Sequence, residues 1–398
     1  MHNDILDKLT DYPFDRLREL LFDIEPPANI TPVYMQIGEP KHPAPEFIKN
    51  ILVENMDDWG KYPPPNGTDN LRLAISDWLI NRYKLPTSLI DPEQNIAVVS
   101  GTREALFMAA LLAVPEKKMG FKPFVLMPNP FYQVYMGAAE MARSKVILLP
   151  AGPETGFQPD FSAIEPKILE RTALAYINSP ANPQGSTADK EFLVHAAKLA
   201  QKYDFILAID ECYSEIYTER APPGGLSACK ELANKCQNIL VFHSLSKRSN
   251  APGLRSGFVA GDSNLIKKFL RLRQYGGAQI PLPIMRASEA LWKDEEHVKK
   301  SRDLYRKKFD SALEILNGDL GAKRPGGGFY LWLNVGDGAT AAKKLWKHSG
   351  IRVLPGEFLA KEDANGSNPG KQFIRVALVH DLDTTRNAIT QIHETLTK

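Results

Sequence analysis

A lysine flanked by small hydroxyl residues lies just past an apolar run. Ile239-Leu240-Val241-Phe242 is followed by His243-Ser244-Leu245-Ser246-Lys247-Arg248-Ser249-Asn250-Ala251-Pro252-Gly253-Leu254-Arg255-Ser256-Gly257-Phe258. The run reads as a buried strand. Two hydroxyls and an amine, with Arg255 arriving after a Pro-Gly turn, suit an anion site beside a nucleophilic lysine that can condense with a carbonyl. The bland alternative is a solvated loop with two chance basic residues.

Other strand ends carry chemistry of the same kind. Ser100-Gly101-Thr102 closes Ile96-Ala97-Val98-Val99 and opens a helix, where free N–H groups and the positive end of the helix dipole attract phosphate. An ordinary N-cap at Thr102 is the competing reading. Asn178-Ser179-Pro180-Ala181-Asn182-Pro183-Gln184-Gly185 closes another strand; Asn182 could donate to a ligand oxygen, or the turn could be loop chemistry alone. Asp210 follows five apolar residues, Phe205 to Ile209, where an unpaired charge is costly. It asks for a cationic partner, such as a protonated pyridine nitrogen, unless it caps a helix.

The elements that must position these groups form a regular series. Ile96–Val99, Phe124–Met127, Val146–Leu149, Ala173–Ile177, Phe205–Ile209, Ile239–Phe242 and Gly257–Ala260 are short apolar runs, alternating with candidate helices at 66–83, 103–113, 131–141 and 188–203. That rhythm predicts an α/β fold: a mainly parallel seven-stranded sheet sandwiched by helices, with ligands beyond the strands' carboxyl ends. One long helix is expected over 282–316, then strands at 329–333, 351–354 and 373–377, a helix near 339–348 and a last one from Leu382. These make a smaller α+β unit. The expected division is a large domain at 45–285 and a small one of 286–398 with an N-terminal arm, 1–44. Gly326-Gly327-Gly328 and the 363–370 loop read as surface turns.

Composition narrows the class. The 398 residues are 43% hydrophobic and 24% charged, with 49 basic against 47 acidic side chains and a net charge of +2. No bulk field recruits nucleic acid or an anionic membrane. Cys212, Cys229 and Cys236 give neither a disulfide framework nor zinc spacing, so no metal is expected. Asp4, Asp7, Asp11 and Asp15 suit no targeting peptide, and the apolar run from Ala105 to Val114 is too short for a bilayer. A cytoplasmic protein is the expectation.

Taken together, Gly101-Thr102, Tyr132, Asn182, Asp210-x-x-Tyr213, Ser244-x-Ser246-Lys247, Arg255 and Arg375 resemble the class I/II, fold-type I pyridoxal phosphate aminotransferases. Ile37-Gly38-Glu39-Pro40-Lys41-His42-Pro43, Asn129-Pro130-Phe131-Tyr132-Gln133 and Asp210-Glu211-Cys212-Tyr213-Ser214-Glu215-Ile216-Tyr217 look most like the proteobacterial succinyldiaminopimelate aminotransferases of lysine and peptidoglycan precursor synthesis. The resemblance implies that Lys247 holds pyridoxal 5'-phosphate covalently and shuttles the substrate Cα proton. It implies that Asp210 pairs with the ring nitrogen, that Tyr213 and Asn182 bond the phenolic oxygen, and that Tyr132 stacks on the ring. The phosphate would receive Gly101, Thr102, Ser244, Ser246 and Arg255, with Tyr62 arriving from the neighbouring subunit of a homodimer. Arg375, helped by the Gly38 N–H, would clamp the substrate α-carboxylate. The partners implied are an amino acid and a 2-oxo acid.

Two residues depart from the family pattern: Gln184 stands where threonine is usual, and Arg103 where smaller or acidic residues are common. Both are expected at the pocket rim. Arg16, Arg18, Arg103 and Gln274-Tyr275 are the candidates for the distal end of the substrate. A lyase on the same fold shares every cofactor residue. A non-catalytic regulator is disfavoured because about 45 residues precede the large domain, without a basic recognition helix. A nicotinamide dehydrogenase is disfavoured because no strand leads into Gly-x-Gly-x-x-Gly.

Overall fold

The computed structural model describes residues 2–233, 235–363 and 365–397. Seven strands form the central sheet: β1 (Ile96–Val99), β2 (Phe124–Asn129), β3 (Lys145–Pro150), β4 (Thr172–Asn178), β5 (Ile206–Asp210), β6 (Ile239–Ser244) and β7 (Gly257–Gly261). Their order is β1-β7-β6-β5-β4-β2-β3. Neighbours run parallel, except that β7 lies antiparallel between β1 and β6.

The apolar runs are continuous because both faces of the sheet are covered. Ile96, Val98, Leu126, Ile177, Leu207 and Val241 enter one core, shared with the helices Asp69–Tyr83, Lys190–Lys202 and Leu282–Lys293. Ala97, Val99, Val125, Met127, Leu174 and Leu240 enter the other, under Thr102–Ala113, Gln133–Met141 and Ser263–Gly276. The two sets alternate along each strand, as a period of two requires. Only the edge strand β3 is largely uncovered.

A second sheet has the order β9-β10-β8, all antiparallel: β8 (Tyr330–Asn334), β9 (Leu354–Pro355) and β10 (Phe373–Ala377). Leu331, Leu333, Ile374 and Val376 pack there with Phe309, Leu345 and Ile389 from the helices Glu296–Leu316, Gly338–Ser349 and Leu382–Thr397. Val33–Tyr34 pairs in parallel with Ile351–Arg352, tying the N-terminal segment to this region.

Two expectations are corrected. The 282–316 helix is two helices, Leu282–Lys293 and Glu296–Leu316. Asp294 is extended, and its Oδ1 accepts the His297 N–H at 3.0 Å, so one aspartate ends the first helix and helps start the second. No Gly or Pro marks that break. The glycine turn is not at the surface: Gly327 and Gly328 are buried, the Gly327 N–H donates to Gly185 O at 3.1 Å, and the Gly328 N–H donates to Ile216 O at 2.7 Å. A Cβ on Gly327 would press on Pro180, which is why glycine stands there. Of the 363–370 loop, Ala364 lies outside the described residues, and Gly370 is buried.

Among the described residues no helix is long and apolar enough to cross a membrane, and no cluster of three or more His, Cys, Asp or Glu could hold a metal ion.

Candidate active site

Six strands of the large sheet point one way, so their carboxyl ends share an edge. β7 runs the other way and brings its amino end, preceded by Arg255 and Ser256, to that same edge. The sheet topology therefore delivers the lysine segment and the arginine together, although a turn and a reversal separate them in sequence. A cavity of about 590 Å³ opens at this edge, a usual size for a small-molecule site. Lys247, Asp210, Tyr213, Asn182, Tyr132 and Thr102 line it, as do Ser246, Arg255, Gly38 and Arg375.

Lys247 sits on a single helical turn, Leu245–Arg248, whose start is capped by the Ser244 hydroxyl accepting the Ser246 N–H at 3.1 Å. Its Nζ donates to the Gly38 carbonyl. The amine's pKa is lowered to about 8; burial is the main cause, and the Arg375 and Arg255 charges push the same way. A neutral, nucleophilic amine is thus accessible close to neutral pH.

Asp210 ends β5 and is buried. Its Oδ2 accepts the Tyr135 hydroxyl at 2.7 Å and its Oδ1 the Cys212 N–H at 3.2 Å. Among the described residues no cation forms a salt bridge with it, and burial drives its pKa upward despite the two donors. A carboxylate so placed is matched to an incoming N–H⁺.

Arg375, on β10, is 3% exposed. Its Nη1 donates to Asn182 Oδ1 at 2.8 Å and its Nη2 to Gln36 O at 2.6 Å, while Nε is buried without a partner among the described residues. The guanidinium carbon lies 4.4 Å from the Tyr330 ring centre. Tyr330 also meets Tyr213, hydroxyl to hydroxyl, at 3.0 Å. Thr102 Oγ1 is 3.0 Å from Cys212 Sγ. Arg255 Nη1 donates to Pro252 O at 2.9 Å and reaches Ser246 Oγ at 3.5 Å.

Some anticipated residues stand elsewhere. The Gly101 N–H is turned back to Val99 O at 2.8 Å, and Gly101, not Thr102, is the N-cap of the helix. Gly101 packs against the Arg255 guanidinium with φ +87°, so its contribution is close approach rather than a free donor. Ser244 is buried below the cavity as a cap, and Tyr62 is fully exposed outside it. Gln184 lines a separate small void with Asn182 and Tyr132, and its Nε2 faces Ala151 O at 3.4 Å. Of the distal-end candidates Arg103 lines the main cavity, whereas Arg16 covers the Phe358 ring, Arg18 pairs with Asp15, and Gln274 and Tyr275 are exposed.

Tyr135, Tyr330, Cys212 and Tyr12 escaped the sequence reading. Tyr135 lies three residues after Tyr132, which is the extended N-cap of the helix Gln133–Met141, and the two rings meet edge to face at 5.6 Å. Tyr330 looked like any aromatic on a strand.

The chain belongs to the aminotransferase class I and II family, whose sequence pattern matches residues 32–392. The family depends on pyridoxal phosphate, and the topology above is its fold. An aminotransferase of Neisseria meningitidis is 42% identical, covering 99% of this chain and 100% of its own, with a TM-score of 0.93. The Helicobacter pylori aminotransferase AspB is 36% identical over 98% of this chain and 99% of its own, with a TM-score of 0.89. The LL-diaminopimelate aminotransferase of Halothermothrix orenii is 30% identical over 89% of each chain.

The residues present fit this cofactor. A buried carboxylate without a salt-bridge partner among the described residues suits the pyridine nitrogen, an amine of lowered pKa suits the aldehyde, and Arg255 with Thr102 and Ser246 suits the phosphate.

Proposed function

We propose that this aminotransferase moves the amino group of N-succinyl-L,L-2,6-diaminopimelate to 2-oxoglutarate, giving N-succinyl-2-amino-6-oxopimelate and glutamate. The observation that carries the reading is the convergence of the Lys247 amine, the Asp210 carboxylate and the Arg375 guanidinium on one 590 Å³ cavity. Motifs from Gly38 to Gly257 and the diaminopimelate-type relative support the substrate class. That relative's name specifies unsuccinylated LL-diaminopimelate, which makes it the second reading.

Bound here, the cofactor supplies an aldehyde carbon and a ring that accepts the electron pair left on substrate Cα. Arg375 binds the α-carboxylate, with the Gly38 segment beside it, and so orients the Cα–H bond. Lys247 takes the Cα proton on Nζ and later returns one, work that a pKa near 8 suits. Asp210, held by Tyr135, would pair with the ring nitrogen and keep it protonated. Tyr213 and Asn182 would hold the cofactor's phenolic oxygen, and Tyr132 its ring face. Thr102, Ser246 and Arg255 hold the phosphate, with Gly101 allowing Arg255 its approach and Ser244 fixing the Lys247 turn.

We further infer the division into a cofactor domain, 45–285, and a small domain of 1–44 with 286–398, and a cytoplasmic homodimer. Full exposure of Tyr62 beside exposed Met56 and Trp59 supports a subunit interface at which Tyr62 reaches the partner's phosphate.

A panel of succinyldiaminopimelate, LL-diaminopimelate, acetylornithine, aspartate, alanine and aromatic amino acids, each with 2-oxoglutarate, tests the reading. Succinyldiaminopimelate is expected to give the highest kcat/KM with stoichiometric glutamate. Preference for another substrate overturns the specificity, and pyruvate or ammonia release overturns transfer in favour of a lyase. Undiminished turnover by Lys247→Ala would remove the mechanism.

A further inference from the structure

Four cationic side chains line the cavity: Arg103, Lys247, Arg255 and Arg375. In the reading above three of them have a role: the lysine as base, Arg255 at the phosphate, Arg375 at the α-carboxylate. Arg103 has none. Its Nε donates to the Tyr132 hydroxyl at 3.0 Å, and neither Nη makes a hydrogen bond or ion pair among the described residues. The neighbouring acid, Glu104, does not neutralise it, because its Oε1 is 2.5 Å from Arg273 Nη1.

The position is well defined. Arg103 is the second residue of the helix Thr102–Ala113, whose buried face is fixed in the core by Ala105 and Leu106. Tyr132 holds one edge of the guanidinium plane and leaves the fork of two Nη groups. Tyr12 and Phe14, from the N-terminal segment, line the same cavity. An arginine fork held at one edge and left without an anion has the geometry that recognises a planar carboxylate by paired hydrogen bonds.

We propose that Arg103 is a specificity residue: it binds a carboxylate at the far end of the substrate side chain, and so selects amino acids with an acidic tail. This deepens the proposed function and rests on its placing of the α-carboxylate at Arg375.

The test uses cofactor-loaded enzyme and single half-reactions, read from the cofactor absorbance. Glutamate is compared with norvaline, which has a methyl in place of the distal carboxylate. In wild type glutamate is strongly preferred. In Arg103→Gln the glutamate-to-norvaline ratio of kcat/KM falls about 10- to 100-fold, the range for losing one or two charge-assisted hydrogen bonds, with most of the loss in the glutamate KM. Arg103→Lys, which keeps the charge without the fork, recovers part of the ratio. A ratio unchanged in Arg103→Gln, with both substrates slowed alike, overturns the proposal and leaves Arg103 a support for Tyr132. If succinyldiaminopimelate is a poor substrate while the glutamate–norvaline contrast depends on Arg103, the substrate reading falls and this one stands. If wild type shows no such contrast, this one falls whatever the substrate.

Discussion

Tyr135 offers the sharpest test of how the ring-binding carboxylate is maintained. Its hydroxyl donates to Asp210 Oδ2 at 2.7 Å, its ring stacks on Tyr176 at 4.4 Å and 8°, and the Tyr176 hydroxyl donates to Leu106 O at 2.7 Å. Tyr135→Phe keeps the stacked ring and deletes one of the two donors that offset the burial of Asp210. Removing a hydrogen bond to a buried charge costs about 1.5–3 kcal/mol, or about 10- to 150-fold in an equilibrium that needs the ionised carboxylate. The carboxyl pKa, already raised, rises further, and cofactor affinity falls by that factor. The assay is titration of the cofactor-free enzyme with pyridoxal phosphate, followed by absorbance, in a double-mutant cycle with Asp210→Asn. The two effects should be strongly non-additive, since Tyr135 acts through Asp210. Affinity within twofold of wild type, or simple additivity, refutes the reasoning.

Three further outcomes follow from the geometry. Lys247 titrates near 8 in the folded chain against an ordinary 10.5, so between those values the unfolded chain binds more protons and stability rises with pH; cofactor-free Lys247→Met should be more stable than wild type below pH 8, with melting curves that converge toward pH 10, and a pH-independent gap counts against the burial account. Arg375→Lys should lower kcat/KM about 10- to 100-fold, mainly through KM, because an ammonium cannot reproduce the planar fork; an unchanged KM would remove it from the carboxylate site. Gly101→Ala and Gly156→Ala both place an alanine at positive φ, +87° and +62°, which costs about 1–3 kcal/mol. Only Gly101→Ala meets the Arg255 guanidinium, so cofactor titration should show weakened binding in that variant alone.

The large sheet was legible because each strand is a short apolar run stopped by polar residues, and covering both faces leaves no other use for such runs. The chemistry at the strand ends was legible for the same reason: Asp210 is the polar last residue of one buried strand, and Lys247 lies on the turn that follows another. Less local features were not. The break at Asp294 lacks Gly or Pro and depends on one side chain accepting the His297 N–H. The buried glycine turn depends on Pro180 and Ile216, more than a hundred residues earlier, and composition alone makes three glycines look like a surface loop. Tyr135 and Tyr330 acquire their roles only through partners on other elements.

The buried glycine turn has one more consequence. Through Gly185 O and Ile216 O it fastens the strand bearing Tyr330 to the loops that follow β4 and β5, so along that line the two sheets must move as one body. Any widening of the cavity that lets a long substrate pass must then come where the wall is less firmly stitched. Tyr12 and Phe14, half-buried at the cavity wall, lie off that line.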